Sequence, residues 1–309
     1  MAFSPELFKP LDKNRVQADE ARPSITYWQD AWRRLKKNPL AITSLIFIAL
    51  LTLTAIVGPF LSPYSYSDQD FDNIHLRPCR EHPFGTDNLG RDILVRTMYG
   101  ARISLAVGFV AAITTCVIGV LFGGISGLAG GKIDNLMMRF VDIMYSIPFL
   151  LWVIMLIVIL DPEGSKGVNL SSIFIALGIV YWLPMARIVR AQILSLKEQE
   201  FILAATTIGA KKRKILLQHL IPNVMGSIIV TATISIPEAI FTESFLSFIG
   251  LGVSAPMASW GMLASDALTT LRSYPHVLVF PAVAICITLL AFNFIGDGLR
   301  DALDPKMRK

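Results

Sequence analysis

The sequence has few charged residues. Asp, Glu, Lys and Arg make up 17% of its 309 residues, whereas 53% of the residues are hydrophobic. Soluble domains carry about 25% charged residues, so this composition excludes an ordinary soluble fold. Several segments exceed the roughly 18 consecutive apolar residues that indicate a membrane-spanning helix. The sequence therefore predicts an all-α, polytopic membrane protein.

Residues that build common catalytic and metal sites are also scarce. The three cysteines are far apart and form no CxxC pair, and the four histidines show no ligand spacing. The nearest match to a phosphate-binding P-loop precedes Lys132, but Ser126 and Ile133 occupy two of its defining positions. The sequence thus predicts no catalytic residues, no metal and no bound cofactor. Any work this chain performs would need an energy source outside it.

Positive charge is concentrated beside the apolar segments. The net charge is +5, and in a membrane protein such clusters indicate topology and contact with lipid rather than with nucleic acid. Residues 27–38 (YWQDAWRRLKKN) predict an amphipathic helix at the membrane interface, with Trp28 and Trp32 as aromatic anchors. Residues 1–25 show no signal-peptide pattern. We expect residues 1–38 to form a cytosolic tail and interfacial helix.

Six membrane spans are predicted, with both termini in the cytosol. The expected spans are 40–61, 103–129, 137–160, 170–187, 224–249 and 277–295. This pattern divides the chain into a first span with an outer loop (39–101), a five-helix core (102–296) and a cytosolic C-terminal tail (297–309). Trp260 lies in the semi-polar segment 254–274 and is expected to be an interfacial anchor.

Three features within the spans predict specific packing. Gly119, Gly123 and Gly127 recur every four residues, which leaves a bare ridge for close approach of another helix. Pro148 lies inside the third span and should bend it. Near the cytosolic edge of that span, Arg139 and Asp142 are expected to form a charge pair, with each other or with a neighbouring polar segment.

The polar stretch 190–223 separates the fourth and fifth spans. Apolar residues recur at helical spacing on both sides of Gly209, which predicts two short helices around a glycine turn. The basic residues 211–214 and an exposed apolar face suit the cytosolic side and a docking partner. The alternative is a solvated loop with a basic face.

Four sequence motifs resemble a known transporter family. They are HPFGTDNLGRDILVRTMYGARISL (82–105), GGKIDNLMMRFVDIMYSIP (130–148), FLSFIGLGVSAPMASWGMLASD (245–266) and FNFIGDGLRDALDP (292–305). The chain resembles the C-type permease subunits of dipeptide, oligopeptide and nickel importers in the ABC superfamily. This resemblance covers nearly everything after Trp32. It implies a type I ABC importer permease fold, in which residues 102–296 form the permease core.

The resemblance also implies a set of partners. The family works with a second, B-type permease subunit, two cytosolic ABC ATPase subunits that bind ATP and Mg, and an extracellular or periplasmic binding protein. The expected location is the bacterial cell membrane, and the expected substrates are oligopeptides or dipeptides. Nickel, glutathione or antimicrobial peptides remain alternatives, as does an ion-driven secondary transporter or a membrane scaffold.

Within the family, the stretch 190–223 resembles the EAA loop, whose coupling helices dock onto the ATPases. Ala204, Ala205 and Gly209 match that loop, whereas Leu203 replaces its glutamate. The full set of residues expected to couple the chain to the ATPases is Ala204, Ala205, Gly209, Ala210, Lys211 and Pro222.

Two acidic residues of the fifth span are candidates for the translocation path. Ionisable groups inside a membrane usually face a cavity, so Glu243 and Glu238 are expected to line the path and to contact a peptide's amino terminus. A structural hydrogen bond to a neighbouring helix is an equally favoured alternative.

Overall fold

The computed structural model describes residues 26–162, 168–253 and 256–304. The predicted tail 1–25, part of the short outer loop (163–167), residues 254–255 and the end of the C-terminal tail (305–309) lie outside the described residues. In the described residues the regular secondary structure is helical, apart from two isolated bridges, Thr86–Asp92 and Val168–Val253. The helices are α1 (Tyr27–Leu35), α2 (Pro39–Leu61), α3 (Ile93–Ala129), α4 (Gly131–Ser146), α5 (Phe149–Leu160), α6 (Leu170–Lys197), α7 (Glu200–Thr207), α8 (Lys212–Phe248), α9 (Trp260–Ala267) and α10 (His276–Leu303).

Among the described residues, five helices are each long and apolar enough to cross a membrane: α2, α3, α6, α8 and α10. The bent pair of α4 and α5 brings the number of spans to six when it is counted as one. Several helices are longer than their apolar windows predict. α3 begins ten residues early because Asp92 caps it: its Oδ1 accepts a hydrogen bond from Val95 N at 2.8 Å. The expectation of six spans is confirmed when the bent pair is counted as one.

Pro148 separates α4 from α5, and the two helices meet at 87°. Proline has no N–H group, so the turn before it loses backbone donors. Side chains replace them: Trp152 Nε1 donates to Met144 O at 2.8 Å, and Ser146 Oγ donates to Ile143 O at 2.7 Å. The predicted bend is confirmed, and its freed carbonyl groups are satisfied inside the protein, as a membrane requires.

The predicted glycine ridge of α3 packs against α6. A Cβ atom on Gly123 would clash with the carbonyl group of Ala186, and one on Gly127 would lie 3.0 Å from Arg190 O. A Cβ atom on Gly119 would lie 2.8 Å from Trp182 O. Since these neighbours are backbone atoms, they cannot rotate away. The ridge therefore sets how closely α3 and α6 approach each other.

A cap, which we define as residues 62–92, folds over the N-terminal ends of α3 and α10. Stacked rings hold it to the bundle, with centroids 3.9 Å apart for Phe84 and Phe280 and 4.4 Å apart for His75 and Tyr274. Beneath them, residues 87–96 and α9 bring buried charges together. The cap is therefore an ordered part of the fold.

Asp87 is the centre of these buried charges. Its Oδ2 accepts hydrogen bonds from Arg91 Nε, at 2.8 Å, and from Arg96 Nη1. Burial by itself raises the pKa of Asp87, but the Arg96 and Arg91 guanidinium groups and the backbone N–H of Leu89 outweigh it, and the net pKa lies below its usual range. Burial raises the pKa of the neighbouring Asp266.

Trp260 is not the interfacial anchor that the sequence suggested. Its side chain is fully buried, and its indole Nε1 donates to Thr97 O at 2.9 Å. Gly100 of α3 leaves the room for this ring, because a Cβ atom there would lie 3.2 Å from Trp260 Cδ1. The short helix α9 is thereby inserted against α3.

Candidate functional site

The polar stretch 190–223 contains one short helix rather than two. Its first part continues α6 to Lys197, α7 spans Glu200–Thr207, and its last part is the beginning of α8. The second predicted short helix was wrong because no residue breaks the helical spacing between Lys212 and the fifth span. Pro222 lies inside α8, just after the π-helical segment Ile215–Leu220, where the regular α-helical hydrogen bonds are already interrupted.

Gly209 ends α7 in the left-handed conformation, with φ of +84°. The N–H of Gly209 donates to Thr206 O at 3.0 Å, and the N–H of Ala210 donates to Ala205 O at 3.0 Å. These two bonds form a Schellman motif, in which glycine is favoured because it has no Cβ. Among the described residues other than Gly209 and its two chain neighbours, no heavy atom lies within 4 Å of the position that a Cβ would take. Any cost of substitution within this chain is therefore conformational rather than steric.

α7 has one anchored face and one exposed face. Ile202 and Ala205 are buried, and Ile202 packs in a hydrophobic cluster with residues of α6 and α8 such as Ile193 and Leu220. The exposed side of the turn carries large apolar groups, including Ile208 with 86% of its surface exposed. These exposed groups are Phe201, Leu203 and Ile208. The arrangement is a rigid platform with an apolar contact surface, which we call the α7 platform (200–209).

The predicted coupling residues differ in their exposure to solvent. Ala204, Gly209, Lys211 and Pro222 are exposed, and Ala210 is half-buried. Ala205 is buried against the chain's own core and supports the platform from beneath. Leu203, at the position of the family's glutamate, is 56% exposed and adds apolar surface there.

A buried carboxylate that sequence reasoning missed braces this platform. Asp134 in the first turn of α4 accepts two hydrogen bonds from Arg190, and its Oδ1 also accepts one from Ser126 Oγ at 2.5 Å. Nearby, Lys197 Nζ donates to Leu128 O at 3.0 Å. Polar contacts thus join α4 and the end of α3 to α6, whose last residue, Lys197, lies three residues before α7. The only signal in the sequence was an unexplained Asp shortly after Gly130-Gly131.

The predicted pair of Arg139 and Asp142 is not formed. Asp142 Oδ1 instead accepts from Arg187 Nη2 of α6 at 2.7 Å, and both side chains are about half exposed. Arg187 also lies over the ring of Tyr145, 3.9 Å from its centroid. Arg139 is exposed, and over the described parts of the chain it makes no ion pair. Asp142 thus pairs with a residue of a neighbouring polar segment, which was the alternative to pairing with Arg139. The aromatic ring of Tyr145 holds this partner, Arg187, in place.

A cleft of about 370 Å³ opens where the bent span meets α6 and α8. Glu238 lines it, together with Tyr145, Pro148 and Tyr181. Thr242 Oγ1 donates to Glu238 O at 2.9 Å, so it accepts from the Tyr181 hydroxyl, also at 2.9 Å. The cleft therefore combines aromatic walls with the carboxylate of Glu238.

Glu243 does not face this cleft. Its side chain is fully buried; Ser247 Oγ donates to Oε1 at 2.8 Å, and Ser104 Oγ of α3 donates to Oε2 at 3.4 Å. Five residues correspond to about 140° around a helix, so Glu238 and Glu243 point to different sides of α8. For Glu243 the structure shows the alternative arrangement, in which the carboxylate accepts a hydrogen bond from a neighbouring helix.

A bundle of membrane-length helices with a bent helix pair and a short helical platform defines an integral membrane protein. The sequence profile described as "Binding-protein-dependent transport system inner membrane component" matches residues 119–309, and that of the "N-terminal TM domain of oligopeptide transport permease C" matches residues 26–78. The chain belongs to the family of binding-protein-dependent transport system inner membrane components.

Similar proteins cover nearly the whole chain. It is 51% identical over 304 residues to the oligopeptide transport system permease protein OppC of Bacillus subtilis (strain 168), covering 98% of each chain. It is 50% identical over 299 residues to the dipeptide transport system permease protein DppC of the same organism, covering 96% of this chain and 92% of that relative. OppC of Escherichia coli (strain K12) is 48% identical over 283 residues, covering 91% and 92%.

A solved structure shares the fold. A chain of the MetNI methionine ABC transporter, solved in inward-facing conformations, matches with a TM-score of 0.58 at 21% identity. The match covers 69% of this chain and 98% of that chain. This likeness establishes the type I ABC importer permease fold.

Proposed function

We propose that this chain is the C-type permease subunit of an ATP-driven importer that moves oligopeptides or dipeptides into the cytosol. The observation that carries the proposal is its identity of about half, over nearly the full length, to relatives named oligopeptide and dipeptide permeases. The chain itself is a non-catalytic membrane subunit. A second, B-type permease subunit completes the path, and an extracellular or periplasmic binding protein delivers the substrate.

The α7 platform is the proposed contact with the ATPases. Two cytosolic ATPase subunits bind ATP and Mg, and a groove on one of them receives the exposed side of the platform. Because Ile202 is packed between α6 and α8, a push on α7 moves both helices together. The contact between Asp134 and Arg190 extends the movement to α4, whose break at Pro148 adjoins the cleft. This is lever-like transmission through packed elements.

The cleft around Glu238 is the proposed part of the translocation path. A peptide carries a cationic amino terminus, and the Glu238 carboxylate attracts it with the correct sign. The aromatic walls from Tyr145 and Tyr181 accept varied side chains without a tight fit, as a transporter of diverse peptides requires. In the proposed orientation both termini and the α7 platform are cytosolic, which agrees with the basic residues beside α2 and α8.

Purification of the tagged full-length chain from native membranes tests the proposal. Two P-loop ATPases and a second permease should copurify, and mass spectrometry of material bound to the associated binding protein should identify peptides. If nickel or glutathione were identified in place of peptides, the proposed substrate class would be wrong. Transport that survives loss of the ATPases but stops with an ionophore would instead establish an ion-driven carrier.

Two variant sets test the path and the orientation. Glu238→Gln should lower peptide uptake, whereas Phe241→Leu on the same cleft wall should change it less, because it removes no charge. Single cysteines at Asp72 and Lys212 in a cysteine-free background should react with membrane-impermeant reagents from opposite sides. Labelling of both positions from outside would contradict the proposed topology.

A further inference from the structure

A second cleft, of about 500 Å³, lies at the junction of α1, α2 and α10, away from the α7 platform and the Glu238 cleft. It is lined by Arg34, Lys37, Asn38, Pro39, Gly298, Asp301 and Ala302. The cleft combines basic groups from the end of α1 with a carboxylate from α10. It lies where the apolar span of α2 begins.

The walls of this cleft are rigid. Tyr27 at the start of α1 donates its hydroxyl to Leu303 O of α10 at 3.0 Å, which ties the two helices together. Asn38 Oδ1 accepts from Ala41 N at 3.1 Å and caps α2. A Cβ atom on Gly298 would lie 3.4 Å from Asn38 Nδ2 and would clash with Ala41 Cβ. The three helices are therefore held together closely, and the cleft is a formed feature.

The charges in the cleft are arranged to meet a ligand that carries both signs. Arg34 is already paired with Asp30, at 2.8 Å. Lys37 and Asp301 are exposed and line the same space, yet within the described part of the chain neither forms an ion pair with the other. Two opposite charges that share a cleft without contact leave room for a zwitterion between them.

The surroundings of the cleft indicate a lipid rather than a soluble zwitterion. Trp28 and Trp32 are about half exposed on α1, and Lys36 Nζ lies 5.3 Å from the Trp32 ring centroid. Aromatic and basic residues on an amphipathic helix place that helix at the level of lipid headgroups. Directly after the cleft, α2 exposes Leu40 and Ile46, which suit acyl chains.

We propose that this cleft binds the headgroup of phosphatidylethanolamine, with its phosphate near Lys37 and its ammonium group near Asp301. The phosphate accepts hydrogen bonds from the lysine ammonium group, and the lipid ammonium group donates to the carboxylate. Phosphatidylcholine has no N–H donor and a bulkier cation, and phosphatidylglycerol has no cation. The cleft therefore discriminates among headgroups by charge and by hydrogen bonding.

Thermal unfolding of the full-length chain, in detergent with the subunits that copurify with it, tests this site. Added phosphatidylethanolamine should raise the midpoint more than equal amounts of phosphatidylcholine or phosphatidylglycerol. Soluble phosphoethanolamine at the same concentration should give no comparable shift. Equal shifts for the three lipids, or a full effect from the soluble headgroup, would overturn the proposal.

Matched variants locate the effect. Asp301→Asn should weaken the binding of phosphatidylethanolamine about two- to fivefold, as expected for an exposed charge pair, and Asp301→Glu should retain it. Asp297→Asn changes an exposed Asp one turn earlier on α10, outside the cleft, and should have no effect. Lys37→Gln should weaken the binding of phosphatidylethanolamine. Lys36→Gln, at the neighbouring exposed position, should weaken it less.

Native mass spectrometry of lipids retained by each variant gives a second readout. Equal loss of phosphatidylethanolamine from Asp301→Asn and Asp297→Asn would remove Asp301 from the site. A preference for phosphatidylglycerol that depends on Lys37 but not on Asp301 would also overturn the proposal, since it would reduce the site to simple attraction of anionic lipid.

Discussion

Arg190 of α6 and Asp134 of α4 form a two-point ion pair, with Nη2 to Oδ2 at 2.6 Å and Nε to Oδ1 at 2.5 Å. Asp134 is buried, whereas Arg190 retains partial exposure. This geometry fixes the planar guanidinium group against the carboxylate, which a lysine could not reproduce. The pair holds the platform-bearing helix α6 against the bent third span.

The first prediction concerns this ion pair. Asp134→Asn or Arg190→Gln should lower the free energy of unfolding by roughly 1.5–3 kcal/mol, because charge-assisted hydrogen bonds to a buried group are lost. Arg190→Lys should be intermediate. Asp142→Asn breaks the exposed pair with Arg187 and should cost at most about 1 kcal/mol. Denaturation of the purified chain measures all four variants, and equal costs for the buried and exposed pairs would contradict this interpretation.

The second prediction concerns the turn at Gly209. Gly209→Ala forces a Cβ into a positive φ and should cost roughly 1 kcal/mol. Gly209→Asp should leave the chain inserted but reduce peptide uptake and retention of the ATPases, because it adds charge to the proposed docking surface. Asn tolerates this conformation better than Ala, so Gly209→Asn separates backbone strain from docking. Normal uptake with Gly209→Ala and Gly209→Asp would remove the coupling role of this turn.

The third prediction compares two adjacent glycines of α3. A Cβ on Gly123 clashes with the backbone of Ala186, whereas one on Gly124 meets side-chain methyl groups, Leu216 Cδ1 at 3.3 Å and Ile193 Cδ1 at 3.8 Å. Both substitutions to Ala gain about 1 kcal/mol of helix propensity. Gly123→Ala should nonetheless destabilise the chain because α3 and α6 must separate, and Gly124→Ala should be neutral or mildly stabilising. Detergent-resistant folded yield and thermal midpoints measure the difference, and equal behaviour of the two variants would contradict it.

The fourth prediction concerns the stability of the cap, residues 62–92, in acid. The pKa of Asp87 in the folded chain lies below its usual value, so its contribution is present above the unfolded pKa of about 4 and is lost as pH falls through the folded pKa. Protease resistance of the cap should decrease in that range. Asp87→Asn should lower the protease resistance of the cap at neutral pH, and that resistance should then depend less on pH in acid.

Two comparisons isolate the contribution of Asp87. The pKa of Asp266 is raised by burial, so its contribution has the opposite sign and is lost as pH rises. Because the Asp87 carboxylate contributes to that raised pKa, Asp87→Asn is compared in an Asp266→Asn background, where only the contribution of Asp87 changes. Asp72→Asn alters an exposed acidic residue of the same cap and should leave the pH profile unchanged. A wild-type profile in Asp87→Asn would assign the acid response to another group.

The features that the sequence predicted correctly depend on local patterns. Apolar runs locate the spans, and Pro148 acts on its own turn. The spacing of Gly119, Gly123 and Gly127 determines one helix face. Gly209 could be placed at a turn because apolar residues recur on both of its sides. Each of these signals lies within a few turns of chain, so no tertiary information was needed.

The features that the sequence did not predict depend on which helices become neighbours. Asp134 and Arg190 are 56 residues apart, and nothing local relates them. Asp142 has a cation three residues away in sequence but contacts Arg187 on another helix. Trp260 resembles an interfacial anchor until Gly100 of α3 provides space for it. In each case the partner comes from a distant segment, which the helical period alone does not specify.

The break at Pro148 has a consequence for the thickness of the surrounding bilayer. α5 has 12 residues and therefore rises about 18 Å, against about 30 Å for a hydrocarbon core. Since α4 meets it at 87°, α4 adds almost no length along the α5 axis. With α5 along the bilayer normal, the lipid beside it thins locally, at a cost that grows with each ångström of mismatch. Covering α5 with another protein surface removes that cost, so the bilayer itself favours assembly along this edge of the subunit.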